Sequence, residues 1–156
     1  MTDPTAPQLP SGALQFDLTA DDQRLFLAEV DKVLQCVEEA LVQLERSPDD
    51  QALPAEIFRA ARTIKGWSAT IGHTRMASLT HAMETRLEDV RKGSARATPQ
   101  LIEALLQALT VLKMLRDEVE TRVAAVVDVE AAAAAIERRA RLRHRASKPA
   151  LKPRSW

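Results

Sequence analysis

Four side chains able to do chemistry fall in one short stretch: Arg62, Lys65, His81 and Glu84. The two cations are three residues apart, and so are the imidazole and the carboxylate, so each pair shares a face wherever its stretch is helical. If the two stretches fold back on each other, a cation pair is set against an imidazole and a carboxylate. Guanidinium and ammonium groups suit an anion. The imidazole is the member of the set with a nitrogen lone pair free near neutral pH. Arg62 stays protonated at any physiological pH and offers none, so it can bind charge but cannot attack.

The elements that must position these groups are two helices. Ile57, Ala60, Ile64, Trp67 and Ile71 recur at intervals of three or four and mark one apolar helical face. Gly72 stops that helix, as a glycine after the last turn does. Thr74 then caps a second helix with Met76, Leu79, Met83, Leu87 and Val90 on its own apolar face. A tight turn makes the two antiparallel, with Arg62 and Lys65 roughly opposite Ile64 and Trp67. Trp67 is expected in the core by its spacing from Ile64, and His73, at the turn, is expected at the solvated surface.

FRAARTIKG at 58–66 and THAME at 80–84 resemble the histidine phosphotransfer (HPt) domain at the front of CheA-type chemotaxis kinases. There the phosphorylated helix reads approximately FRAAHTLKG and the next helix carries THxxE. The FR, TxKG and THxxE elements come in the same order at matching separation, and a weaker similarity runs over about residues 20–120. The resemblance implies a phosphorelay module in which a glutamate, matched by Glu84, accepts the proton of the ring nitrogen that does not react. It implies that Lys65 supplies positive charge near the phosphoryl oxygens, and that Gly66 lets a partner's active site approach. A glycine within a helix otherwise costs about 1 kcal/mol. It also implies that Arg62 stands where the phosphoacceptor histidine belongs. His81 has a family counterpart beside the reactive histidine, as a neighbour rather than an acceptor.

Composition bounds the rest. The 156 residues suit one domain with tails, rich in helix formers and poor in glycine and aromatics. An all-α, antiparallel four-helix bundle with an aliphatic, methionine-bearing core is expected, with an additional C-terminal helix and a basic tail. There is no run of about 18 apolar residues and no signal peptide at Met1, so neither a membrane span nor secretion is indicated and a cytoplasmic location is expected. The lone Cys36 can form no internal disulfide or structural zinc site, and is expected to pack on its helix. No cofactor or metal is implied. Residues 138–156 hold eight of the 22 Lys and Arg and none of the 22 Asp and Glu, leaving 1–137 with 14 basic against 22 acidic. The body is acidic and the tail basic.

Along the chain, residues 1–18 read as a flexible leader rich in proline and small polar residues. Thr19 and Asp22 can cap a first helix whose stripe is Phe26, Val30, Val33, Val37, Leu41 and Leu44. Ser47-Pro48-Asp49-Asp50 breaks it, and Pro54 fits the first turn of the next helix. Arg91-Lys92-Gly93-Ser94 closes the third helix and Thr98-Pro99 opens the fourth. The fourth carries a broad stripe over Leu101, Leu105, Leu106, Leu109, Leu112, Leu115, Val119 and Val123. The bundle is thus expected over 19–123. Residues 124–145, alanine-rich and then basic, read as a fifth helix or an extension of the fourth, and 146–156 as an unstructured basic tail. No glycine-rich ATP-binding boxes are found, so the chain is not expected to draw phosphoryl groups from ATP itself.

Three functions are compatible with these features. A non-catalytic HPt-like module would dock a response regulator receiver or a chemotaxis-type kinase through Arg62, Lys65, Gly66, His81 and Glu84. An active phosphorelay protein would use His81 or another group as acceptor. A helical scaffold would bind nucleic acid through residues 138–156, although no aromatic interleaving accompanies those charges. The first keeps Lys65, Gly66 and Glu84 in use and is the reading preferred here. Arg62 paired with Glu84 as a modest surface ion pair is the structural alternative to a docking role.

Overall fold

The computed structural model describes residues 16 and 18–137. Four long helices follow one another: α1 Ala20–Arg46, α2 Ala52–Ile71, α3 Thr74–Arg91 and α4 Pro99–Thr121. A shorter α5 spans residues 129–137. Each helix packs on the next in sequence, and α4 returns beside α1. The bundle is therefore closed on itself around an aliphatic centre.

The helix ends show why the chain breaks where it does. Thr19 and Asp22 form a reciprocal capping box at the start of α1. Thr98 accepts the Leu101 N–H at the start of α4, with Pro99 as its first residue. Gly72 (φ 76°) and Gly93 (φ 83°) take the left-handed conformation where α2 and α3 end. The cap of α3 differs from expectation: His73, not Thr74, is the N-cap, and its Nδ1 accepts the Met76 N–H at 3.2 Å. Thr74 is the first helical residue.

The core is built from Phe26, Leu41, Leu44, Ile57, Ile64, Met76, Leu79, Met83, Leu87, Leu105, Leu112 and Leu115, all fully buried. The expected face of α3 is buried along its whole length. On α2 the buried face also takes in Phe58 and Ala61, while Ala60 and Trp67 are half-buried at its margin. Trp67 packs against the core, its ring edge-on to Phe26 at 6.3 Å. Arg116 ties α4 to α1 with two bonds to Asp31, 2.7 and 2.9 Å.

Three further expectations are corrected. Cys36 is exposed, its Sγ 3.6 Å from Glu56 of α2, because the buried stripe of α1 runs through Leu34, Val37 and Ala40 on either side of it. Val123 is 65% exposed, because α4 stops at Thr121 and Arg122 turns the chain aside in a left-handed conformation (φ 61°). The fourth helix is therefore not extended. A break precedes α5, which returns to the core through Val129, Ala132 and Ile136. Residues 1–15, 17 and 138–156, most of the expected leader and all of the basic tail, lie outside the described residues. Phe16 and Leu18 pack against the core. Among the described residues no helix is long and apolar enough to cross a membrane.

Candidate functional site

The middle of α2 presents Arg59, Arg62, Thr63 and Gly66 to solvent, because Phe58, Ala61 and Ile64 turn the other side of the helix into the core. The Thr63 and Thr70 hydroxyls donate to the carbonyls of Arg59 and Gly66, both at 2.9 Å. Their hydrogen-bonding capacity is thus directed into their own helix, leaving the arginines as the chemically open groups of the strip. A Cβ added at Gly66 would meet nothing within 4 Å. No packing requirement inside the molecule therefore explains glycine at this place.

The hairpin brings Lys65 and Glu84 together. Lys65 Nζ forms an ion pair with Glu84 Oε2, joining α2 to α3, with side-chain exposures of 34% and 15%. The carboxylate is thus sheltered while the ammonium lies at the mouth. Arg62, one turn from Lys65, does not take part. Among the described residues its side chain makes no ion pair or hydrogen bond, so the Arg62–Glu84 pair weighed from sequence does not form. His81 is exposed on α3, one turn from Glu84, and is not bonded to it. The arrangement is an open cationic strip, Arg59 and Arg62, flanking a carboxylate already occupied by a lysine.

A second polar cluster, missed from sequence, lies at the end of the bundle. His73 is 3% exposed rather than solvated, and its ring stacks on Phe16 with centroids 4.9 Å apart. Glu118 of α4 is 1% exposed. Its Oε2 lies 3.1 Å from His73 Nε2, and its Oε1 accepts the Ala125 N–H at 2.7 Å and pairs with Arg75 of α3. Burial lowers the His73 pKa to about 4, helped by the Arg75 charge and opposed by hydrogen bonding to the Leu115 carbonyl. The signal for Glu118 was periodicity: position 118 is three after Leu115, on the buried side of α4.

The fold and the charged face of its central hairpin define a helical module built to meet a partner rather than to enclose a small substrate. Residues 23–116 match the family model described as the Hpt domain, and the chain belongs to that family. It is 33% identical over 120 residues to the chemotaxis protein CheA of Listeria monocytogenes, covering 77% of this chain and 19% of that protein. With CheA of Bacillus subtilis it shares 39% over 104 residues, 67% of this chain and 14% of that protein. The chain thus spans less than a fifth of these relatives. Among solved structures it resembles the phosphorylated P1 domain of CheA3 in complex with CheY6 from R. sphaeroides, with a TM-score of 0.71 and 25% identity, covering 79% of this chain and 98% of that one.

Proposed function

We propose that this Hpt module works in chemotaxis-type two-component signalling by docking a response regulator receiver, or a kinase of that pathway, without accepting a phosphoryl group. Arg62 carries the reading: an exposed guanidinium with no ion-pair or hydrogen-bond partner among the described residues, in the segment where the resemblance expects the reactive histidine. A guanidinium has no nitrogen lone pair with which to form a phosphoramidate. It can still make charge-assisted bonds to carboxylates. The open space around Gly66 supports close approach of a partner to α2, and the similar P1 domain in complex with CheY6 supports a receiver as that partner. The Lys65–Glu84 pair would fix the hairpin beneath the docking strip.

The test is incubation with an active chemotaxis-type kinase and labelled ATP, beside a titration with a purified receiver. The expected outcome is no acid-labile label on the protein and saturable receiver binding that Arg62→Ala weakens. Label on the unaltered chain would overturn the non-accepting reading. Because His81 is exposed on the same hairpin, loss of such label in His81→Ala would assign the acceptor to that residue. Arg62→His should gain label, if Glu84 releases Lys65 to hold the new ring.

A further inference from the structure

The cluster around Glu118 has no place in docking at Arg62, and it is expensive to bury. A carboxylate 1% exposed must be satisfied from all sides. Here the partners come from separate parts of the chain: Arg75 from α3, His73 from the α2–α3 turn and the Ala125 N–H from the segment between α4 and α5. Two further contacts fasten the outside. Phe16 lies between the His73 ring, 4.9 Å away, and the Arg122 guanidinium, 5.6 Å from its centroid. Arg122 in turn donates to Gln23 of α1 at 2.7 and 3.1 Å. The approach to α1 and the exit from α4 are thus held at one end of the bundle by contacts that meet at one imidazole.

That imidazole can do its work in one protonation state only. Nδ1 accepts the Met76 N–H, so its lone pair caps α3 and the ring's single proton sits on Nε2, facing Glu118. A second proton would go to Nδ1. It would turn the acceptor into a donor opposite another donor, and place a full charge in a site closed to water. Glu118 favours that charge, but its Oε1 is already held by Arg75 and Ala125. Arg75 opposes it directly, and Arg122 stands beyond Phe16. Asp128 and Glu130 line the hollow beside Arg75, on the far side of that guanidinium.

We propose that this cluster is a proton-operated latch: when His73 takes up a proton, Phe16 and residues 122–128 leave the end of the bundle while α1–α4 stay folded. The direction follows from linkage. The closed form holds the ring's pKa at about 4, against 6.5 for a ring in water, so the open form binds the proton more tightly. The latch is fully effective above about pH 6.5 and is lost as pH falls from there towards 4. Between pH 7 and pH 5 the opening equilibrium should rise about 20-fold.

The experiment is amide exchange by NMR on the full chain, corrected for the intrinsic pH dependence of exchange. The Met76 and Ala125 protection factors should fall about 20-fold from pH 7 to pH 5, while that of Ile64 in the core holds. His73→Asn keeps a cap acceptor but cannot titrate in this range, so its protection should be flat. An equal fall in that variant would put the effect on carboxylates and overturn the latch, as would no fall in the wild type. If the variant does not fold, titration of the His73 ring in the wild type decides: a midpoint near 4 supports the latch and one at or above 6.5 overturns it.

Discussion

Lys65 and Gly66 are neighbours on α2, and the structure assigns them opposite relations to stability. Lys65 lies at the mouth of its pair with Glu84, partly screened by water, so Lys65→Ala should lower unfolding free energy by about 0–1 kcal/mol. Its effect on receiver affinity, read by titration, should exceed that. Gly66→Ala should raise stability by about 0.5–1 kcal/mol, since a methyl group finds open space and the unfolded chain loses freedom. The same methyl should weaken docking if a partner comes close to the helix there. A variant more stable to urea yet weaker in receiver binding would separate the two roles. Equal binding by Gly66→Ala and the wild type would remove Gly66 from the docking strip.

At the scale of the element, the α2–α3 hairpin depends on its turn. Gly72 has φ 76°, a conformation that costs a residue with a Cβ about 1–2 kcal/mol. Gly72→Ala should therefore destabilise by that amount in urea melts, although nothing lies within 4 Å of the added atom. The glycine stop was legible, and so was the face of α3, because Met76, Leu79, Met83, Leu87 and Val90 keep a helical interval without a competing pattern. His73 was not. After a glycine, histidine and threonine both suit an N-cap, and the choice depended on Phe16 and Glu118 being there to bury a ring, contacts made across more than forty residues of sequence. Cys36 failed for a local reason: it lies one position from the buried Val37, and a single step of 100° around a helix changes which side a residue faces.

For the whole molecule, an all-α bundle follows from amphipathic periodicity alone, and its caps were readable at Thr19, Thr98 and Pro99. The pairing that makes the candidate site was only half readable. Spacing placed Arg62 with Lys65 and His81 with Glu84, but which cation would reach the carboxylate depends on the rotation of α2 against α3, and that is set by packing at Phe58 and Ala61. The attachment of α5 is likewise a tertiary fact. Ile136 is fully buried in the core, so Ile136→Ala should cost about 2–5 kcal/mol in a single unfolding transition. Two separate transitions would show that α5 melts independently of α1–α4.

The placement of Cys36 makes the protein easy to instrument. The chain has one thiol. It sits in the open on α1 beside Glu56, away from the basic strip of α2 and from the His73 end. Burial and the neighbouring Glu56 carboxylate push the thiol's pKa up, so a maleimide dye should attach slowly at neutral pH and faster in mild alkali, because the thiolate is the reacting form. A single dye fixed there, with Trp67 as an intrinsic donor, would report partner arrival as a distance change with neither proposed region chemically altered.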